Sequence, residues 1–370
     1  MHGPELDRLV AEARRQLEIC NACRYCEGYC AVFPAMTLHR AFSDGTLVQL
    51  ANLCHGCRAC YHACQYAPPH AFAVNLPRAL AELRVASWES LAPPAGLGRF
   101  VQRRAGATVL ALLSALAGMF WALASLRPPS GTGFYAHLSH GAMVAIFLPA
   151  FLLPLALLAR ALRDFWRLVG GGRVRLRHLR VALAEAASLV HLSGGGQGGC
   201  QFEKGDRPSQ ARRFAHQLVF WGFVACFAST TSATIMHYAL DWPAPYDFWT
   251  PPKLLGVPGG VLMVVGGIVL ASLARRADPE LGSPALRGGE AAFRVLLVSV
   301  PASGLLLWAA ADTVLQAPLL ALHLATVLAF FLLAPYSKMA HAPFRFAALV
   351  RAAQEREAAG TPRGAVRASS

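Results

Sequence analysis

Six apolar stretches follow one another along the chain after a more polar N-terminal segment. They cover residues 106–126, 140–158, 214–240, 255–274, 293–311 and 318–337. A helix needs about 20 apolar residues to cross the roughly 30 Å hydrocarbon core of a bilayer. The pattern therefore predicts an all-α protein with a bundle of six transmembrane helices.

The first 98 residues contain no such stretch and no apolar run near Met1 that would indicate a secretory signal. Residues 5–19 predict an amphipathic helix, and residues 36–53 contain one turn signal at 43–45 with little alternation typical of strands. The sequence thus predicts three parts. They are a small helical domain (1–98), the membrane bundle (99–345) and a basic tail (346–370) that begins as a helix and frays.

Composition and charge agree with this division and orient it. The chain is 55% hydrophobic and 15% charged, with a formal net charge of +14. If residues 1–104 are cytoplasmic, 32 of the 34 Lys and Arg fall in cytoplasmic segments, and only Arg127 and Lys253 lie outside. Basic residues accumulate on the cytoplasmic side of membrane helices, so both termini are predicted inside. Anionic lipid explains the positive charge, and no nucleic-acid motif is present.

Eight of the ten cysteines form two copies of the motif CxxCxxCxxxC. The copies are Cys20, Cys23, Cys26, Cys30 and Cys54, Cys57, Cys60, Cys64. Three cysteines at successive three-residue steps, with a fourth nearby, suit a [4Fe-4S] cube. Structural zinc usually takes two CxxC pairs separated by a longer loop, and disulfides are rare in a cytoplasmic segment. The spacing therefore predicts two [4Fe-4S] clusters.

The eight ligands can be divided in two ways. In two-cluster ferredoxins the fourth cysteine of each motif binds the other cluster. This crossed division gives the sets Cys20, Cys23, Cys26, Cys64 and Cys54, Cys57, Cys60, Cys30. We favour it over the uncrossed division, in which each motif binds its own cluster. Ala31 and Gln65 follow the last cysteines, where the bacterial ferredoxin pattern has proline, which favours a helical domain over a strand-rich one.

Four histidines occupy matched positions on the third and sixth predicted membrane helices. His216 and His237 are separated by about 31 Å along one axis, and His323 and His341 by about 27 Å along the other. Because the two helices run in opposite directions, His216 is expected to face His341 at the cytoplasmic level. His237 is expected to face His323 at the external level. Ionisable groups in a membrane are usually functional, and facing histidines in a bundle can hold haem, so one or two b-type haems are predicted.

The other candidate side chains have plainer interpretations. A histidine near a membrane interface is more often a solvated side chain. We interpret His137, His140, His178 and His191 in this way, although His140 is an alternative ligand at the external level. Cys226 lies within the third apolar stretch, which favours buried packing. The role of Cys200 stays open.

Four segments carry a specific resemblance to a known family. They are residues 53–69 (LCHGCRACYHACQYAPP), 212–221 (RRFAHQLVFW), 237–246 (HYALDWPAPY) and 335–346 (PYSKMAHAPFRF). They resemble the tricarballylate and citrate utilization protein B family (TcuB/CitB). Its members are membrane proteins that use [4Fe-4S] clusters and haem to reoxidise the flavin of a tricarballylate dehydrogenase. The spacing of His323 and His341 also resembles that of the haem-bearing subunits of nitrate reductase and heterodisulfide reductase.

The resemblance implies an electron-transfer component of a quinone-reducing system rather than the dehydrogenase itself. The implied partners are an FAD-dependent dehydrogenase of the tricarballylate type, a membrane quinone and the lipid bilayer. The implied location is the bacterial cytoplasmic membrane, with the iron–sulfur domain inside. The organic acid, the quinone and its site, and the oligomeric state stay open. The alternative is a membrane-bound iron–sulfur redox sensor without haem.

Overall fold

The computed structural model describes residues 3–94, 96–126, 133–194, 199–200, 208–311 and 313–360. Within them the chain forms fourteen α-helices and no β-strand, which confirms the all-α prediction. Helices α1 to α14 are, in order, Pro4–Cys23, Val32–Met36, Asp44–Leu53, Ala59–His62, Leu76–Leu91, Leu97–Arg103, Ala105–Ser125, His140–Leu168, Leu176–Ser188, Ala211–Ala239, Pro251–Arg276, Pro284–Ala309, Gln316–Leu333 and His341–Ala358.

The six predicted membrane helices are α7, α8 and α10 to α13. Each is long and apolar enough to cross a bilayer, and the sixth span continues through a short 3₁₀ turn to Tyr336. Large apolar side chains on their outer faces stay exposed, including Leu110, Leu152 and Val295. Exposed apolar surface of this extent suits contact with lipid. The chain is a multi-pass membrane protein.

Helices α10 and α11 pack closely because small residues line their contact. A Cβ atom at Gly222 of α10 would lie 2.7 Å from the Gly259 carbonyl oxygen of α11, and one at Gly266 would lie 2.7 Å from the Ala215 carbonyl oxygen. Glycine lets membrane helices approach until their backbones touch. This contact holds α10, which carries His216 and His237, against α11.

The N-terminal domain follows the predicted helical pattern with one difference. The turn signal at 43–45 marks the start of a helix, because the Ser43 hydroxyl accepts a hydrogen bond from the Thr46 amide at 3.2 Å. Serine at this position satisfies one of the free amides of the first turn. Helix α3 then carries its apolar side chains into the core and ends at Cys54.

One buried core joins the N-terminal domain to later parts of the chain. Leu50 of α3, Phe165 of α8 and Phe344 of α14 belong to the same cluster of buried side chains. The rings of Phe165 and Phe344 meet edge to face, with 5.2 Å between their centroids. Helix α14, which includes the described part of the predicted tail, therefore packs on the N-terminal domain. Residues 361–370 lie outside the described residues.

Candidate iron–sulfur and haem sites

The first set of cysteines surrounds a cavity that opens at the surface. Cys20 and Cys23 lie on the last turns of α1, Cys26 lies in the turn that follows, and Cys64 follows α4. These four line a cavity of about 290 Å³, together with Cys60 and Tyr25. Cysteines of both motifs therefore meet at this cavity, and the crossed division stays a prediction.

The thiols of this set affect one another electrostatically. Burial first, and then the neighbouring Cys64 and Cys26, together raise the pKa of Cys20 to about 12. The pKa of Cys26 is also raised to about 12, by burial first and then by Cys64. Thiols in these surroundings ionise only when a positive charge offsets them, as a metal does on binding.

The second set lies deeper. Cys30, Cys54 and Cys57 are buried, and Cys60 is partly buried. Burial raises the pKa of Cys60 well above its ordinary value, with further contributions from Cys57, Cys30 and Cys54. The Gly56 amide donates a hydrogen bond to Cys54 Sγ at 3.3 Å, a contact that stabilises a thiolate and tunes a cluster. Cys26 of the first set also contributes to the raised pKa of Cys60, so cysteines of both motifs lie close together here.

The thiols of the first set suit an iron–sulfur cluster by their chemistry and by the space between them. They surround a volume of about 290 Å³. Among the residues the structure describes, no group of three His, Cys, Asp or Glu side chains is placed to hold a single metal ion. A cube is a compact centre whose four ligands approach from different sides, so the chemistry and the spread of the donors fit an iron–sulfur cluster.

The two motifs also share a backbone feature. Arg24 follows Cys23 and Arg58 follows Cys57, and both arginines adopt left-handed backbone angles, with φ of 56° and 65°. Residues other than glycine rarely adopt left-handed backbone angles. The repeated turn directs the chain from the second cysteine of each motif toward the third.

The cytoplasmic histidine pair of the sequence prediction is brought together. The rings of His216 on α10 and His341 at the start of α14 have centroids 6.2 Å apart and are nearly perpendicular. Two imidazoles on opposite sides of one metal, each with a bond of about 2 Å, would have nearly this separation. His341 Nδ1 lies 2.5 Å from the Lys338 carbonyl oxygen, to which it donates, so Nε2 keeps its lone pair for a metal.

His216 shows the same kind of fit. Its Nδ1 atom is buried and has no hydrogen-bond partner. Burial lowers the pKa of His341 well below its ordinary value, with contributions from Arg345 and His216, so this imidazole is neutral, as a metal ligand must be. The pair fits the axial ligands of one haem.

The external pair is arranged differently from the prediction. His237 stacks on His140 of α8, with ring centroids 4.1 Å apart, and no ring contact joins it to His323 in the described part of the chain. His323 Nδ1 lies 3.1 Å from the Ser303 hydroxyl of α12. A Cβ atom at Gly304 would lie 2.9 Å from the His323 ring, so glycine makes room for this histidine. The alternative that includes His140 gains support from this geometry.

Comparison with known proteins places the chain in a family. Residues 13–90 match the family described as Citrate utilization protein B Fer4-like domain, and residues 102–362 match the family Citrate utilization protein B. The chain is 41% identical over 353 residues to the Citrate utilization protein B of Escherichia coli, covering 94% of this chain and 92% of that protein. The chain belongs to the citrate utilization protein B family. No solved structure matches it.

Membership of the citrate utilization protein B family and its Fer4-like domain agree with an iron–sulfur electron-transfer role. The sequence reasoning missed the arginines around the second cysteine set. Arg84 of α5, Arg212 of α10 and Arg345 of α14 all donate to carbonyl oxygens of residues 52–56. Burial first, and then the nearby Arg84, lower the pKa of Arg345 to about 9. Positively charged side chains concentrated around this loop would stabilise an anionic iron–sulfur cluster.

Two further residues lie beside the second set: His55, which the sequence analysis did not single out, and Cys200, whose role it left open. The ring of His55, next to Cys54, lies 6.5 Å from that of His191, and burial lowers its pKa, with contributions from Arg345, His191 and His216. Cys200 is buried and forms a hydrogen bond with Cys57, which contributes most to lowering its pKa to about 7. Neither contact is local in sequence, so spacing alone gave no signal for them.

Proposed function

We propose that this chain carries electrons from a reduced soluble flavoprotein to a membrane quinone through two [4Fe-4S] clusters and b-type haem. The coarse role rests on the family and on its Fer4-like domain. The order of the carriers rests on the positions of the cysteine and histidine sets described above. When bound, the clusters and the haem each accept and release one electron.

The observation that carries this proposal is a gradient of burial that ends at the histidine pair. The first cysteine set lines a surface cavity, whereas Cys54 and Cys57 of the second set are buried. Arg212, one turn before His216 on α10, donates to the His55 carbonyl oxygen at 3.1 Å, so the segment next to Cys54 lies close to this end of α10. The geometry supports a path from the surface, through the second set, to His216 and His341.

The surface of the first cavity supports the donor side of the proposal. Tyr25, which lines the cavity, is 69% exposed, and Phe72 nearby is 47% exposed. Exposed aromatic side chains of this kind are enriched in protein interfaces. We assign the partner as an FAD-dependent dehydrogenase of the tricarballylate or citrate type, which docks here and delivers two electrons one at a time.

The haem sites belong to the bundle. His216 and His341 would hold the haem nearest the clusters, and the Lys338 carbonyl oxygen keeps His341 in the tautomer that leaves Nε2 available. A second haem at the other level would use His237 with either His323 or His140. Quinone reduction then needs a pocket in the bundle. The concentration of Lys and Arg in the segments predicted to be cytoplasmic supports a cytoplasmic position for the iron–sulfur domain.

The decisive experiment is spectroscopy of the full chain, purified without oxygen in detergent. The proposal expects a reducible b-type haem band in the optical spectrum and two [4Fe-4S] signals in the paramagnetic resonance spectrum. Clusters without any haem would contradict the relay and favour the redox sensor. Reduced partner dehydrogenase should then reduce the haem, and addition of quinone should reoxidise it.

Haem stoichiometry distinguishes the ligands at the second level. We expect His237→Ala to remove one haem equivalent if two haems are present. His323→Ala and His140→Ala then show which residue is its partner, since only the true ligand variant loses that haem. His137→Ala is the matched control, because His137 has no ring contact with His237 in the described residues.

A further inference from the structure

The two helices that carry the cytoplasmic histidine pair each also carry an arginine one turn away. On α10, Arg212 lies four residues before His216, and on α14, Arg345 lies four residues after His341. Residues four apart share one face of a helix. Each helix therefore presents a histidine and an arginine toward the same region of the molecule.

Both arginines donate hydrogen bonds to the same short segment, residues 52–56. Arg212 Nη1 donates to the Gly56 carbonyl oxygen at 2.8 Å, and its Nη2 donates to the His55 carbonyl oxygen at 3.1 Å. Arg345 Nε donates to the Asn52 carbonyl oxygen at 3.2 Å, and its Nη2 donates to that of Cys54. Two guanidinium groups thus hold four carbonyl oxygens between residues 52 and 56.

This loop carries the second cysteine set. Cys54 lies within residues 52–56 and Cys57 follows directly after them, and both cysteines are buried. A planar guanidinium holds two acceptors in a fixed direction, whereas a lysine ammonium is a point charge on a flexible stem. The contacts therefore fix the position of the loop relative to His216 and His341, and not only its local conformation.

We propose that Arg212 and Arg345, here called the arginine clamp, are positioning residues that set the distance and orientation between the second cluster and the haem held by His216 and His341. The inference rests on the proposed function. In the step that it serves, one electron leaves the reduced cluster and one ferric haem iron becomes ferrous, while no bond or proton moves.

The first cysteine set has a different relation to the bundle. The contacts of its loop stay within the N-terminal domain, where Arg24 Nε donates to the Asn21 carbonyl oxygen at 3.1 Å and Asn21 Nδ2 donates to the His39 carbonyl oxygen at 3.1 Å. The second set is instead gripped by side chains that come from the membrane helix α10 and from α14. This difference is expected if only the second cluster must keep a set distance from the haem.

The test uses Arg212→Lys and Arg345→Lys as two separate variants of the full chain in detergent. Lysine keeps the positive charge but cannot hold two carbonyl oxygens. We expect both clusters and the haem to be retained, with the reduction potential of the second cluster little changed. The magnetic interaction between that cluster and the haem should weaken, and electron transfer between them should slow by about tenfold.

Arg212→Gln and Arg345→Gln add a second readout. Glutamine lacks both the positive charge and the guanidinium that holds two carbonyl oxygens, so the reduction potential of the second cluster should also shift to a more negative value. Loss of the second cluster alone in the lysine variants, with the first cluster and haem retained, would contradict the inference, because the arginines would then be needed to bind the cluster and not to set its distance from the haem.

Matched controls come from the same two helices. Arg213→Lys and Arg351→Lys change arginines whose contacts are with Ser188 and Glu355, and both should leave the magnetic interaction and the rate unchanged. If the lysine variants of the clamp keep the wild-type magnetic interaction and electron-transfer rate, the clamp inference is wrong, while the proposed function still stands. A wild-type protein that lacks haem would instead overturn the proposed function, and the clamp with it.

Discussion

The two cysteine motifs have identical spacing but lie in different surroundings. The first set lines an open cavity beside the exposed Tyr25. In the second set Cys30, Cys54 and Cys57 are buried, and arginines from α5, α10 and α14 donate to backbone carbonyl oxygens of its loop. A motif thus determines which cofactor can bind, while the elements packed around it determine what that cofactor contacts.

The difference in charge has a consequence for the direction of electron flow. A cluster held by four thiolates is anionic, and reduction adds a further negative charge. Arg84 and Arg345 lower the pKa of Cys54, and Arg212 lowers that of Cys57, although burial and Cys200 raise these values more. Nearby positive charge favours the reduced state, so we infer that electrons move from the first cluster to the second.

The largest expected effect comes from removing one ligand of each set. We expect Cys57→Ser to remove the second cluster and to abolish haem reduction by the partner dehydrogenase, because the carrier next to the haem is lost. Cys23→Ser should remove the first cluster and also abolish reduction by the dehydrogenase. The measurement is paramagnetic resonance of the clusters together with the optical haem band.

A small chemical reductant distinguishes these two variants. In Cys23→Ser it should still reduce the haem through the second cluster, whereas in Cys57→Ser haem reduction should stay slow. Cys226→Ser is the control, since Cys226 lies in α10 away from both sets. If Cys23→Ser and Cys57→Ser behaved alike, the assigned order of the clusters would be wrong.

A second effect concerns which cluster adjoins the haem. We expect His341→Ala to remove one haem equivalent, because the ring that faces His216 is lost. The signal of the second cluster should change, while that of the first cluster should not. His70→Ala provides the comparison, since His70 contacts Tyr66 and Phe72 near the first set. Full haem content in His341→Ala would remove His341 from the ligands.

The third effect is a difference in how readily a soluble chelator reaches the two clusters. A soluble iron chelator should remove the first cluster about tenfold faster than the second, because solvent reaches a cavity at the surface more readily than a buried loop. The measurement follows the loss of each paramagnetic resonance signal with time, without oxygen. Equal rates of loss would contradict the difference in burial between the sets.

Much of this organisation was predictable from local patterns. Six apolar stretches gave the membrane helices within a few residues at most ends, although α8 continues to Leu168, beyond the predicted end at residue 158. The cysteine spacing indicated clusters, because the three-residue steps that bring three of the four ligands together are local in each motif. The turn signal at Ser43 was an N-cap, since serine favours both turns and helix starts.

The long-range contacts were harder to predict. The antiparallel run of α10 and α13 put His216 and His341 at one level, and the structure brings these rings together. The same reasoning put His237 opposite His323, yet His237 stacks on His140 of α8. Hydrophobic periodicity does not give the lateral order of helices in a bundle. For the same reason, Arg212 and Arg345 gave no signal as contacts of residues 52–56.

The smallest expected effect concerns the contact between α14 and α3 of the N-terminal domain. Glu355 Oε2 accepts a hydrogen bond from Gln49 Nε2 of α3 at 2.6 Å, and Oε1 lies 3.5 Å from His39. We expect Glu355→Gln to destabilise this contact by about 1 kcal/mol at pH 7. Glu82→Gln, which affects an i,i+4 pair with Arg78, should cost about 0.3 kcal/mol.

The pH dependence gives the control for this last prediction. Burial raises the pKa of Glu355, but contacts with His39 and Gln49 outweigh it and hold the pKa below its ordinary value. The folded protein therefore binds this proton more weakly than the unfolded chain, so the stabilisation is present above about pH 4.3 and is lost as the pH falls further. Thermal loss of the second cluster should differ between wild type and Glu355→Gln at pH 7 and converge at low pH. A constant difference at every pH would mean that Glu355 acts through packing and not through its charge.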